Sequence, residues 1–162
     1  MIVIISRKGE GRIGNYKFKC TLGKAGTTQN KIEGDNKTPL GVFHLRQVMF
    51  RQDRISRPKT FLPTKTIKPK DIWCDQSSNR EYNKLCSMKY GHSSECLWRK
   101  DSQYNILIVI GYNDQPVEKF KGSAIFIHLC KKHWSKTKGC IAIKKKDMFK
   151  LLSLNPRKIK II

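Results

Sequence analysis

Two residues of this sequence have the types and the spacing for nucleophilic acyl chemistry. His128 ends the apolar run GSAIFIH, and Cys140 stands twelve residues later, at the end of the polar segment KHWSKTKGC. A thiol attacks an acyl carbon as its thiolate, so a catalytic cysteine needs a neighbour that lowers its pKa or takes its proton. Imidazole is the usual neighbour, and a loop between the two residues can fold back to bring them together. Gly139, directly before the cysteine, lets backbone approach a substrate, and the amides around Cys140 can point at a developing oxyanion. Such a site makes a thioester and passes its acyl group to an amine or to water.

The chain has six cysteines, Cys20, Cys74, Cys86, Cys96, Cys130 and Cys140, so one His/Cys pair is not diagnostic by itself. They are too sparse for a disulfide-stapled miniprotein, although the even count permits bridges. Cys74, Cys86, His92 and Cys96 fall in one segment, but no C-x-x-C pair gives them a zinc-site spacing, and no metal site is assigned. Cys130 lacks the flanking glycine of Cys140 and reads as a buried thiol or a disulfide partner. His133 reads as an exposed loop residue or a substrate contact, and His44 has no evident partner.

Trp73, Asp75, Tyr82, Asn83, Trp98 and Arg99 combine aromatic platforms with charge. They either hold a substrate peptide or anchor a long loop to the core. Arg99 has the fork geometry for Asp75 or for a substrate carboxylate. Lys131, Lys132, Lys136, Lys138, Lys144, Lys145 and Lys146 crowd around the cysteine in sequence. They form either a solvated face or a positive cleft mouth that lowers the thiol pKa and draws in carboxylates.

The elements that must position these residues are mostly strands. MIVIIS is a β-branched run, YKFKC alternates, and after the turn chemistry of GDNKTPLG a strand opens at Val42. YNILIVIGYN and GSAIFIH are further strands, and IAIK is a short strand or turn. From about residue 51 to 100, turn formers and scattered aromatics predict a long irregular insertion. KKDMFKLLSL has Met148, Leu151 and Leu152 at helical spacing, and Asn155 and Pro156 end that helix before a last strand, KIKII. The expected fold is mainly β, in a single domain over residues 1–162, with one or two short helices.

In order along the chain, GDNKTPLGVF, GSAIFIH and TKGCIAI resemble the YkuD-like catalytic domain of L,D-transpeptidases. That domain has a G-x-x-x-TP-x-G-x-F segment, a strand-borne histidine and a Ser/Thr-x-Gly-Cys loop. The resemblance implies a β-sandwich or barrel-like fold and a peptidoglycan acyltransferase. It implies Cys140 as nucleophile, His128 as base, Thr137 with Lys138 in the supporting loop, and the Gly139 and Cys140 amides as oxyanion hole. The commoner pattern has histidine before Gly-Cys and arginine two residues after the cysteine, whereas Lys138 and Ala142 stand here, and the His-to-Cys spacing is shorter. WCDQSSNREYN together with ECLWRKD and YN looks similar to a small proteobacterial subgroup with a Thr-x-Gly-Cys loop and a short spacing, associated with cross-links between stem positions one and three rather than three and three. The implied reaction cuts an amide between an L centre and a D residue and transfers the acyl group to a diaminopimelate amine. With water as acceptor, the same site is a carboxypeptidase or endopeptidase.

Lys and Arg total 34 against 12 Asp and Glu, a net charge of +22, which favours a polyanionic partner or surface. No helix-turn-helix, zinc-finger or RNP pattern accompanies the charge, so specific nucleic-acid binding is not expected, and the anionic cell envelope is the expected surroundings. A basic nucleic-acid- or wall-binding protein without activity is the competing class. No run approaches the ~20 apolar residues of a membrane span, and no signal peptide is visible. A periplasmic or envelope location follows from the resemblance alone. A monomer is expected, and thiol acyl transfer needs no metal or organic cofactor.

Overall fold

The structure is a computed structural model that describes residues 1–87 and 93–162. Its first three strands, β1 (Ile2–Ile5), β2 (Glu10–Ile13) and β3 (Tyr16–Thr21), form an antiparallel meander. Alternation sends Val3, Ile5, Ile13, Phe18 and Cys20 inward and leaves Arg12, Lys17 and Lys19 in solvent. Two short strands, β4 (Thr27–Thr28) and β5 (Thr38–Pro39), pair with each other and frame the loop between them. The strand expected at Val42 starts one residue earlier, as β6 (Gly41–Phe50).

The segment expected to be irregular holds four short strands: β7 (Thr64–Thr66), β8 (Asp71–Cys74), β9 (Leu85–Ser87) and β10 (Ser94–Cys96). β7 joins β6, while β9 and β10 flank β8 in a separate three-stranded sheet. Strands of three or four residues are too short to show a period in sequence, which is why turn chemistry dominates that reading. Then follow β11 (Ile106–Ile110), β12 (Phe126–Leu129), β13 (Ile141–Ile143), helix α1 (Lys145–Ser153) and β14 (Lys158–Ile161).

The main sheet runs β11-β12-β13-β3-β2-β1-β14-β6-β7, and β11 pairs back onto β6, so the sheet closes like a barrel. The length of β6 makes closure possible: Gly41–His44 pairs with β14 and Leu45–Phe50 with β11. Helix α1 packs Met148, Leu151 and Leu152 into the enclosed core, each such burial contributing ~1.5–3 kcal/mol. Asp147, buried in its first turn, accepts a 2.6 Å hydrogen bond from Tyr16 Oη and ties the helix to β3. Among the described residues, no helix is long and apolar enough to cross a membrane.

The described residues form two apolar cores. The larger lies inside the barrel and includes Ile125, Ile127, Leu129, Ile141 and Ile143. The smaller lies between the outer face of the same strands and the 51–104 region, and contains Met49, Trp73, Leu97, Tyr104, Leu107, Phe126 and Cys140. The β12–β13 pair is the wall between them.

Candidate active site

β12 and β13 run parallel, with Ile127 opposite Ile141 and His128 opposite Ala142. Cys140, the residue before β13, therefore stands opposite Phe126, whose N–H donates to Cys140 Sγ at 3.4 Å. Paired residues of neighbouring strands share a face, so Phe126, His128, Cys140 and Ala142 point into the smaller core. His128 and Cys140 are diagonal neighbours on that face, with Cα atoms ~8 Å apart from strand spacing and rise. Instead of ending its strand, His128 is third of four residues, and the ladder continues to Cys130, whose N–H donates to Ile143 O.

The loop that delivers Cys140 is fastened by Thr137. Its backbone bridges the end of β3 through Thr137 N–H to Leu22 O and Lys24 N–H to Thr137 O. Its hydroxyl donates to Cys140 O at 2.6 Å and accepts from Gly139 N–H at 3.1 Å. The Gly139 amide, expected to serve an oxyanion hole together with that of Cys140, is thus engaged by Thr137. Gly139 itself has φ +140°, and a Cβ there would lie 2.9 Å from Lys37 O, so both conformation and space demand glycine. Lys138 is exposed and lines the cavity beside the thiol.

Cys140 Sγ–H donates to Ala124 O at 3.1 Å, and burial pushes the thiol up to about 12 against the opposing pull of the Phe126 N–H. The expectation that surrounding lysines lower its pKa fails: Lys31 does pull it down, but loss of solvation is the larger effect. His128 Nδ1 lies 2.9 Å from Leu129 O, and since a carbonyl only accepts, Nδ1 carries the proton and Nε2 keeps its lone pair. Burial brings His128 down to about 4, outweighing the Leu129 hydrogen bond. At neutral pH the site therefore holds a thiol and a neutral imidazole, not an ion pair.

The two residues open onto a cavity of about 530 Å3. Lys131, Lys136 and Lys138 line it on the loop side, whereas Lys132, Lys144, Lys145 and Lys146 lie elsewhere. Glu33, Asp75 and Glu95 line it too, so the mouth is a mixture of signs rather than uniformly positive.

The aromatic and charged residues of the insertion have mostly internal partners. Trp73, buried, donates from Nε1 to Asn83 Oδ1 at 2.9 Å and meets Phe126 edge-on. Asn83 also receives the Ala124 N–H at 3.0 Å and donates to Tyr112 O and Asn113 O, so it fixes the strand entry whose carbonyl takes the thiol proton. Tyr82, buried, donates to Glu33 and accepts from Gly122 N–H. Trp98 lies under the Arg51 guanidinium, 3.4 Å from its ring centroid. Arg99 lines the cavity but does not pair with Asp75: it forks onto Asp101 and reaches Glu95 at 3.4 Å. Asp75 lines the cavity and accepts from Ser93 Oγ at 2.5 Å. His133 is exposed and outside the cavity wall.

Sequence reasoning missed Tyr104, whose buried ring stands edge-on to His128 at 5.3 Å while its hydroxyl donates to Glu95 at 3.0 Å. It also missed Lys31, Glu33 and Ser123, which line the cavity. Tyr104 belongs to the YN pair of the subgroup resemblance, but nothing in that pair marks a contact with the histidine, and Lys31 is one lysine among many. Cys130 is a half-buried free thiol rather than a disulfide partner. His92 lies outside the described residues, and among those described no group of His, Cys, Asp and Glu can hold a metal.

A family model of the L,D-transpeptidase catalytic domain, YkuD, matches residues 3–161. The chain belongs to this family. Its members are cysteine L,D-transpeptidases, generally of the cell envelope, that act on peptidoglycan stem peptides. Two solved structures are similar to it. One is the helical cell shape determining protein Pgp2 from Campylobacter jejuni, at 14% identity and TM-score 0.49, with 99% of this chain and 46% of that one covered. The other is Mycobacterium tuberculosis L,D-transpeptidase 1, at 11% identity and TM-score 0.44, with 99% of this chain and 60% of that one covered. The chain thus spans roughly half the length of these structures. No curated protein sequence matches it.

Proposed function

We propose that residues 1–162 form one catalytic domain that carries out peptidoglycan L,D-transpeptidation, with Cys140 as nucleophile and His128 as general base. The observation that carries this reading is that one strand pair places both side chains on a single face, at the bottom of a cavity, with Nε2 of His128 free to take a proton. A stem peptide bound in the cavity presents its scissile carbonyl to Sγ. Nε2 takes the thiol proton as sulfur attacks, and the tetrahedral oxyanion is held by the Cys140 amide. Collapse breaks the amide between the L centre and the D residue, the protonated imidazole gives its proton to the leaving amine, and a thioester remains. A diaminopimelate amine then attacks the thioester, loses its proton to Nε2 and restores the thiol.

Thr137, by holding both Cys140 O and Gly139 N–H, keeps the nucleophile's backbone in place, and the cation of Lys138 faces incoming carboxylates. The Thr137-Lys138-Gly139-Cys140 loop and the short spacing from His128 support membership of the proteobacterial subgroup and a one-to-three cross-link. The three-to-three bond, and hydrolysis as carboxypeptidase or endopeptidase, use the same two residues. The chemistry needs no cofactor or metal. A monomer in the periplasm or envelope, attracted by its charge to anionic wall material, completes the reading.

The test is incubation of the protein and of Cys140→Ala with disaccharide-tetrapeptide muropeptides, with products weighed by mass spectrometry. Cys140-dependent dimers establish transpeptidation, and the residues lost from the donor tell a one-to-three from a three-to-three bond. Shortened monomers without dimers make the enzyme a hydrolase. An unmodified protein with no product under any condition removes the reading.

A further inference from the structure

The loop that ends in the Gly34-Asp35-Asn36 turn carries a lysine unlike the others. Of the many lysines, Lys31 is buried, with 3% of its side chain exposed, yet it lines the cavity that holds Cys140 and His128. Its neighbourhood is fixed from several sides. Asp35 accepts from Lys31 Nζ at 2.7 Å and from the N–H groups of Ile32 and Lys37, so the carboxylate is shared between the loop's own backbone and the ammonium. Glu33 N–H donates to Phe120 O, which seats the loop on the segment leading into β12. The Lys31 stem packs along Gly122, and its Nζ lies 3.5 Å from where a Cβ on Gly139 would stand, beside the backbone of the nucleophile.

An ammonium has three donors. Among the described residues, Asp35 is the one hydrogen-bond acceptor that Lys31 Nζ has. A buried cation with donors to spare, held at the wall of a polar cavity, is a site for an anion, since desolvation strengthens its attraction for negative charge. The glycine at 139 adds to this, because any side chain there would stand between Nζ and the nucleophile's backbone.

We propose that Lys31 forms a carboxylate-binding site beside Cys140, which takes the free carboxylate of the D residue on the leaving side of the scissile amide. In a stem peptide that carboxylate is the negative group nearest the bond that is cut, so a cation next to the nucleophile selects donors that bear it and registers the amide over sulfur. The proposal deepens the transpeptidase reading and rests on it for the identity of the ligand. The anion site itself is testable without turnover.

Two reagents that alkylate Cys140, anionic iodoacetate and neutral iodoacetamide, measure the field at the thiol. The ratio of their rates, with the modified cysteine identified by mass spectrometry, is compared among the native protein, Lys31→Met, Lys31→Arg and Asp35→Asn. The native ratio should fall about tenfold in Lys31→Met, survive in Lys31→Arg, and rise in Asp35→Asn, where the counter-charge is gone. Lys138→Met, at the exposed lip, should change it about twofold at most. A merely structural lysine would alter both rates together and leave the ratio unmoved. An unchanged ratio in Lys31→Met and Asp35→Asn overturns the proposal. Should Lys31→Met fail to fold, a flat ratio in Asp35→Asn does so alone. In a second arm, tetrapeptide donors in which the D residue directly after the scissile amide carries its carboxylate free or as a carboxamide should differ through KM in the native enzyme and converge in Lys31→Met. Absence of Cys140-dependent product from the native enzyme counts against the transpeptidase reading, while the alkylation ratios still decide the anion site.

Discussion

The β12–β13 pair and the 51–104 region face each other across the smaller core, and they use their polar residues in opposite ways. On the strand pair, the side chains of His128 and Cys140 meet, among the described residues, main-chain hydrogen-bond partners, Leu129 O, Ala124 O and Phe126 N–H, which leaves their reactive atoms uncommitted to other side chains. In the opposite region, Trp73, Asn83, Trp98 and Arg99 are locked to side-chain or main-chain partners of their own. Of the aromatic residues that in sequence resemble a substrate platform, Trp73 is packed into the core that also holds Cys140, and burial keeps the thiol and the imidazole neutral. Asp75 and Arg99 of that region still line the cavity, each with a partner of its own. The group with donors to spare, Lys31, sits in a loop whose sequence offers no comparable signal.

If the strand pair does the chemistry and the facing region only encloses it, substitutions should separate the two. Cys140→Ala should abolish turnover, and His128→Gln should lower kcat/KM by about 10^2 to 10^4, measured on muropeptides with melting temperatures unchanged within a few degrees. Gly139→Ala should also lose most activity, since its Cβ would press on Lys37 O at a positive φ, at about 1–3 kcal/mol of stability in denaturant melts. Asn83→Ala strands the Trp73 and Ala124 N–H groups, so it should cost about 1–3 kcal/mol and reduce activity through misplacement of the Ala124 carbonyl, read as a fall in kcat larger than any change in KM. Trp98→Ala removes the ring beneath Arg51 and should be the mildest, with about 1 kcal/mol of stability lost and kcat/KM nearly intact. A Trp98→Ala variant as inactive as His128→Gln would contradict the division.

The buried imidazole adds a pH signature. His128 titrates at about 4 when folded and near 6.5 when unfolded, so the unfolded chain binds the extra proton between those values. Its contribution to stability is fully present above pH 6.5 and is lost as pH falls towards 4, up to about 3 kcal/mol. Denaturant titrations of the native protein and of His128→Gln should therefore converge or cross as pH drops through that window. Parallel curves would place the ring in solvent.

Much of this arrangement is legible from residue order. The β-branched runs at both ends, the strand GSAIFIH, the helix with Met148, Leu151 and Leu152, and the Asn155-Pro156 stop all carry local signals strong enough to read. The short strands β7 to β10 carry no period, and the pairing that closes β6 onto β11 is a long-range event that no local pattern encodes. For the candidate site, a strand-borne histidine and a Gly-Cys loop can be read in one dimension. The edge-on Tyr104, the hydroxyl of Thr137 occupying the Gly139 amide, and the burial that reverses the sign of the thiol shift depend on what packs above them. A count of nearby lysines gives the wrong answer for Cys140 because desolvation is invisible in a charge tally.

The most direct test of the central claim is the mass of the protein after exposure to muropeptides. An acyl adduct is expected on Cys140 in the native enzyme, cleared by an amine acceptor with formation of a dimer, and no adduct on Cys140→Ala. An adduct on another cysteine, or dimers formed equally by Cys140→Ala, would contradict it.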